Sequence, residues 1–180
     1  MINFLGYLDT KIVSTPQELS EVDKIILPGV GSFDNGVSSL KATGMFDELN
    51  KQVNVNSKYI LGICLGMQLF MKKSEEGTLN GLGWIPGECK KFSFNNKKLK
   101  VPHMGWNTVT STKKGLCSSS RFYFVHSYYV ECPLEYTMLE TTYSTTFTSG
   151  VNKDNIFGVQ FHPEKSHKHG MELIKNFINL

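Results

Sequence analysis

Apolar positions fall into short continuous runs separated by stretches of helical spacing. Lys24–Leu27 (KIIL), Tyr59–Ile63 (YILGI) and Ile156–Phe161 (IFGVQF) are apolar almost throughout; Pro28-Gly29, a glycine-bracketed turn and His162-Pro163 end them. Such short runs predict strands buried on both faces. Between the first two, Val37, Leu40, Phe46, Leu49 and Val53 recur at helical spacing behind Ser32, a capping residue type, and Gly44 splits the stretch into two short helices. Leu65–Lys73 (LGMQLFMKK) is rich in good helix formers and predicts a helix directly after the second strand. Beyond Ser166, the positions Met171, Ile174, Phe177 and Ile178 mark the buried face of a closing helix. From about Trp84 to Tyr143 the pattern has period two, most plainly at Phe122–Val125, and predicts antiparallel strands.

Strands alternating with helices predict an α/β fold: a doubly wound, mostly parallel sheet covered on both faces, with an additional antiparallel β portion. At 180 residues, with Gly 16 and Pro 6 and neither repeat nor linker, the chain reads as a single domain, 1–180. Lys+Arg 19 against Asp+Glu 16 leaves +3, too even a balance for a nucleic-acid binder driven by bulk charge. The longest uncharged apolar stretch, Tyr59–Met71, falls short of the roughly 18 residues a spanning helix needs. The opening MINFLGYLD has no basic lead, so no secretory leader is read and a cytoplasmic setting is expected.

Reactive groups in such sheets gather where strands end at their carboxyl edge. Three strand ends qualify: Pro28–Gly31, Gly62–Gly66 and His162–Glu164. Gly62-Ile63-Cys64-Leu65-Gly66 has the G-x-nucleophile-x-G form between a predicted strand and a predicted helix. A nucleophile on that sharp turn needs glycines on both sides for steric room, and the following helix start favours the thiolate. The Leu65 N–H would face a developing oxyanion. The other cysteines, Cys89, Cys117 and Cys132, have no such setting and no C-x-x-C spacing, and read as structural.

A thiol needs a base, and a base needs an orienting group. His162-Pro163-Glu164, 98 positions after Cys64, offers an imidazole with a carboxylate two residues on; the tripeptide by itself equally fits a surface turn. Pro28-Gly29-Val30-Gly31 fits either a plain tight turn or a loop whose Val30 N–H is the second oxyanion donor. Lys90, Lys91, Lys97, Lys98 and Lys100 cluster around Asn95-Asn96, read as a hairpin with a lysine-guarded edge. His103 reads as a structural histidine. His167 and His169 are poorly spaced for a metal, and neither metal nor cofactor is expected.

Taken in order, KIILPGVGSF, YILGICLGMQLF, LKVPHMGWN, FYFVHSYYV and FGVQFHPEKS resemble class I (triad) glutamine amidotransferases, and within them the HisH-type glutaminase subunits of imidazole glycerol phosphate synthase. The resemblance covers essentially the whole chain. It implies hydrolysis of L-glutamine to glutamate and ammonia through a thioester, with ammonia passed to a HisF-type synthase subunit in a heterodimer serving histidine biosynthesis. By motif it assigns Cys64 as nucleophile, His162 as proton shuttle and Glu164 as its orienter. Gly29, Gln68, Ser127 and Tyr128 fall where the family holds substrate; Trp106, Tyr123 and Lys165 fall where it faces its partner. Against that pattern one N-terminal βα unit, with its D-Y-G-M-G-N loop, is missing from the chain. Three other readings stand beside the leading one: a paralogue supplying ammonia for surface-sugar synthesis, a truncated non-catalytic interaction subunit, and a cysteine hydrolase acting on peptides or γ-glutamyl compounds.

Overall fold

The computed structural model describes residues 1–94, 99–113 and 115–180. After a short opening segment, α1 (Pro16–Ser20) begins with a capping box: the Thr15 hydroxyl accepts from the Glu18 N–H, and the Glu18 carboxylate reaches back to the Thr15 N–H. β1 (Lys24–Gly29) leads to α2 (Phe33–Ala42) and α3 (Met45–Asn50), divided at Gly44, whose φ of 72° is the left-handed conformation glycine tolerates. β2 (Tyr59–Cys64) follows and runs into α4 (Leu65–Gln68).

Then come the short strand β3 (Lys73–Ser74) and β4 (Glu88–Lys91), followed by the long β5 (His103–Ser111) and β6 (Ser120–His126). β7 (Tyr128–Glu131), β8 (Thr137–Tyr143), β9 (Thr145–Lys153) and β10 (Ile156–Val159) complete the sheet, and α5 (His167–Ile178) closes the chain.

β2 lies between β1 and β10 and is parallel to both. This parallel block is joined through β10 to the antiparallel strands β9, β7 and β4, while β5, β6 and β8 form a second antiparallel arm. The α/β architecture with an added antiparallel portion follows the hydrophobic pattern. Alternate residues of the parallel strands serve two cores. Ile25, Ile60 and Ile156 pack beneath α1, α2 and α3, whereas Leu61, Ile63, Phe157 and Val159 pack beneath α5.

Several expected boundaries shift, each for a non-local reason. The helix expected over Leu65–Lys73 stops at Gln68. The carbonyls a longer helix would use are taken by a later segment: Leu82 N–H donates to Leu69 O at 2.8 Å, Trp84 N–H to Phe70 O at 2.9 Å and Gly81 N–H to Lys72 O at 3.0 Å. β1 continues through Pro28-Gly29 instead of ending there, since Pro28 and Gly29 stay in register with Ile63 and Cys64. β10 ends at Val159, before Gln160 and Phe161.

Ser32 stands at the N-cap of α2 but makes no capping bond; the Glu76 carboxylate takes the Phe33 N–H at 2.7 Å. In α5, Met171 and Ile178 are only half-buried, and Gly170 and Leu173 join Ile174 and Phe177 on the inner face. The centre of the expected lysine hairpin, Asn95–Lys98, lies outside the described residues. Lys90 is paired with Glu88 at 2.8 Å and Glu75 at 3.4 Å.

Candidate active site

The junction of β2 and α4 is sterically unusual. Cys64 sits there with φ 55° and ψ −110°, a strained conformation for a residue with a Cβ. The turn is possible because its glycines let backbones touch. A Cβ on Gly66 would lie 1.9 Å from the Leu27 carbonyl oxygen, and one on Gly62 would lie 2.7 Å from Gly66 C and Met67 N. Gly29 packs against the same turn, where a Cβ would approach Leu65 Cβ at 3.0 Å and Gly66 N at 3.1 Å. The strain aims the Cys64 side chain into a cleft and leaves the first amides of α4, Leu65 among them, with no preceding turn to bond.

His162 enters the same cleft from the segment after β10. Its backbone is pinned by its own N–H donating to Tyr123 O at 2.9 Å and by its carbonyl accepting from the Ser166 hydroxyl at 2.6 Å. Ser166 Oγ in turn accepts from the Tyr123 N–H, which ties this turn to β6. Glu164 Oε1 lies 2.7 Å from His162 Nδ1, so the carboxylate accepts from that nitrogen and Nε2 is left for the thiol side. Nε2 is buried and makes no hydrogen bond of normal geometry.

Even so, Cys64 is the largest influence raising the imidazole, with Glu164 second; together they outweigh burial and push it up to about 9. Cys64 and His162 thus line one cleft without an aligned hydrogen bond between them, as reacting groups often do before substrate binds. For Glu164, burial raises the carboxyl, but the bond to His162 and the neighbouring charges outweigh it and hold the group below its usual range. Burial pushes the Cys89, Cys117 and Cys132 thiols up instead, which suits packing and not nucleophilic attack.

The cleft, about 320 Å³, is lined by Cys64, Leu65, Gln68 and His162 together with Val30, Gly31, Ser127 and Tyr128. Of the candidate residues for substrate and oxyanion binding, Gly29 stands apart: it lies under the elbow, and Val30 and Gly31 form the wall beside it. Gln68 Nε2 donates both hydrogens, to Tyr128 O at 3.0 Å and to Gln160 Oε1 at 3.0 Å, leaving Oε1 as its remaining acceptor. The Ser127 carbonyl accepts from the Phe92 N–H at 3.0 Å, so the bend that leads into β7 and carries both backbone candidates is anchored.

Glu76, Pro102, Val125 and His126 also line the cleft, and sequence reasoning missed them. Gln160 is missed as well: fully buried, it donates to Cys64 Sγ at 3.6 Å. A glutamine inside the apolar run IFGVQF was the available signal, because an amide there must be bonded to something specific. Glu76 had no comparable signal, since it acts on the start of α2 from 43 residues away.

The three candidate partner-facing residues form one patch. Trp106 and Tyr123 are cross-strand neighbours on β5 and β6 with ring centroids 6.2 Å apart, and Lys165 Nζ lies 5.8 Å from the Tyr123 ring. His167 stacks on Trp106 at 5.4 Å. Trp106 is 39% exposed, and Met104 and Val101 beside it on the chain are exposed too.

A strained cysteine at a strand-to-helix turn, an imidazole beside it and a carboxylate on that imidazole make a nucleophile, base and orienter in one cleft of an α/β fold. The family model "Glutamine amidotransferase class-I" matches residues 6–180, and the chain belongs to that family. Among its relatives is a protein named imidazole glycerol phosphate synthase subunit HisH 2 from Methanococcus maripaludis, 53% identical over 99% of this chain and 90% of that one. Another is imidazole glycerol phosphate synthase subunit HisH from Leptospira interrogans, 48% identical over 94% of this chain and 87% of that one. A crystal structure of a glutamine amidotransferase has the same fold, with a TM-score of 0.77 at 19% identity over 99% of this chain and 88% of that one.

Proposed function

We propose that this chain is the glutaminase subunit of an imidazole glycerol phosphate synthase, acting as one domain over residues 1–180. Cys64 attacks the side-chain amide carbon of L-glutamine, and the negative charge on the amide oxygen is met by the backbone N–H groups of Leu65 and Val30. His162 Nε2 takes the thiol proton as Cys64 attacks and gives it to the departing nitrogen, so ammonia leaves and a thioester remains. Water, losing a proton to His162 Nε2, then attacks the thioester; the imidazolium returns that proton to the departing sulfur, which releases glutamate and restores the thiol. Glu164 keeps Nε2 pointed at the reaction and compensates the imidazolium.

Gln68, Ser127 and Tyr128 hold the amino-acid end of the substrate, with Gly29 supporting the turn beneath. Trp106, Tyr123 and Lys165 face a HisF-type synthase subunit that takes up the ammonia in histidine biosynthesis. Four free cysteines suit a reducing, cytoplasmic setting. Among the described residues no helix is long and apolar enough to cross a membrane.

The observation that carries the reading is the orphaned, buried Nε2 of His162 beside the Cys64 thiol, with Glu164 on the ring's other nitrogen. With no partner in the resting cleft, Nε2 is free to hold the thiol proton and hand it to the departing nitrogen. The test is ammonia release from L-glutamine with the synthase subunit and its acceptor present. Cys64→Ala and Cys64→Ser are expected to lose roughly 10³-fold or more of the rate. Turnover retained in either variant would overturn the proposal.

A further inference from the structure

Beside the cleft two buried histidines face one another across β5 and β6. His103 and His126 are register partners, 3% and 6% exposed, with His103 Nδ1 2.9 Å from His126 Nε2. At one end of the pair, His126 Nδ1 lies 2.8 Å from the Tyr128 carbonyl oxygen. At the other, His103 Nε2 lies 3.2 Å from Asn107 Nδ2.

The direction of every hydrogen along this row can be worked out, because one end, the Tyr128 carbonyl, can only accept and the other, the Asn107 Nδ2 amide, can only donate. A carbonyl cannot donate, so His126 must carry its proton on Nδ1. Asn107 is fixed as firmly. Its Nδ2 lies 2.9 Å from the Thr142 carbonyl oxygen, and its Oδ1 accepts from the Thr108 N–H at 2.8 Å. Flipping the amide would set oxygen against oxygen at Thr142 and nitrogen against N–H at Thr108. Nδ2 therefore presents its second hydrogen to His103 Nε2, which must be the bare nitrogen of that ring.

Both ends then demand the same central bond: His103 Nδ1–H donates to His126 Nε2. No donor meets a donor, no acceptor meets an acceptor, and neither ring needs a second proton. The surroundings oppose a second proton as well. Phe124 and Tyr143 stack on His103 at 4.8 and 4.1 Å, and Phe92 and Phe147 pack against His126. The titratable groups around the two rings include each other, the Tyr143 phenol stacked on His103, and His162, whose charge repels one on His126; Cys64 and Glu76 line the same cleft as His126, and the Tyr129 phenol lies beyond Phe92. Burial lowers His103 to about 4 and His126 to about 3.

The chain ends on an atom that matters. The Tyr128 carbonyl also accepts from Gln68 Nε2, and Gln68 passes its other hydrogen to Gln160, which donates to Cys64 Sγ. We propose that Asn107, His103 and His126 are positioning residues of this cleft: a hydrogen-bond relay of single polarity that keeps both imidazoles neutral as Nδ1–H tautomers and clamps the Tyr128 carbonyl on which Gln68 is seated. The kinetic part rests on the glutaminase reading above; the tautomer part does not. The relay begins on β5, whose exposed face carries Met104 and Trp106, and crosses to β6 at His126.

The first test needs no variant. In the full chain labelled with ¹⁵N-histidine, long-range ¹H–¹⁵N correlations at neutral pH are expected to show two neutral Nδ1–H imidazoles whose shifts hold steady down to about pH 5. Assignment of either ring as Nε2–H, or as imidazolium at pH 7, overturns the proposal. The second test uses L-glutamine and the complex with the synthase subunit. His103→Leu breaks the relay and is expected to raise KM about tenfold with kcat within about threefold, the size of one lost buried hydrogen bond. His103→Gln can accept from Asn107 and donate to His126, and is expected to return KM to within about threefold of wild type.

An unchanged KM in His103→Leu, or equal impairment in both variants, overturns the positioning role. Should His103→Leu fail to fold, Asn107→Asp replaces the anchoring donor with an acceptor and is expected to move the His103 nitrogens toward Nε2–H or imidazolium. An unmoved spectrum counts against the relay. Turnover surviving in Cys64→Ala would sink the glutaminase reading while leaving the tautomer result to stand separately.

Discussion

Three side chains meet at the reacting end of the cleft, each made by a different constraint. Cys64 is held by backbone strain, His162 by two backbone hydrogen bonds and the Ser166 hydroxyl, and Glu164 by the bond to Nδ1. The imidazole, pushed up to about 9 by Cys64 and Glu164, binds a proton more tightly folded than unfolded, where its value is 6.5. Its contribution to stability is therefore fully present below about pH 6.5 and is lost as pH climbs toward about 9.

Glu164→Gln removes the second of the two influences, so the upper end of that window moves down toward neutrality. The thermal midpoint of wild type is expected to fall more steeply across this range than that of the variant, and parallel curves would count against the assigned pairing. The same substitution is expected to reduce kcat by roughly 10²–10⁴-fold, because the ring loses both its tautomer control and its counter-charge.

At the scale of the element, the elbow between β2 and α4 depends on contacts no side chain tolerates. Gly66 sits against the Leu27 carbonyl of the neighbouring strand, closer than any Cβ could approach. Gly66→Ala must push β1 and α4 apart, and is expected to destabilise the chain by about 3 kcal/mol or more, read as a lowered urea midpoint. A variant unfolding at the wild-type midpoint would mean that the turn is looser than described. α4 is a single turn because residues 81–85 capture the carbonyls beyond it, and this fold-back also brings Glu76 to the start of α2 beside the Val30–Gly31 wall. One loop thus shortens a helix, caps another and borders the cleft.

Across the whole molecule the sheet separates two cores, so its two faces should respond independently. Ile60 belongs to the core beneath α1, α2 and α3, and Ile174 on α5 to the other. Ile60→Val and Ile174→Val are each expected to cost roughly 0.5–1.5 kcal/mol, and the double variant their sum to within about 0.5 kcal/mol. Marked non-additivity in urea unfolding would show that the cores are coupled through the sheet.

Much of this architecture was readable along the chain because its causes are local. The apolar runs announced β1, β2 and β10, the spacing on either side of Gly44 announced α2 and α3, and glycines flanking Cys64 announced a tight elbow, since sterics and burial act between near neighbours in sequence. What could not be read were the groups whose partners lie far along the chain: Glu76 in place of Ser32 at the start of α2, the short α4, Gln160 on the Cys64 sulfur, and the pairing of His103 with His126. A hydrogen bond is an account settled between two particular atoms, and folding chooses the second one. The meeting of Cys64 and His162 is of this kind, foreseeable from the motifs as a requirement but brought about by β2 and β10 lying side by side.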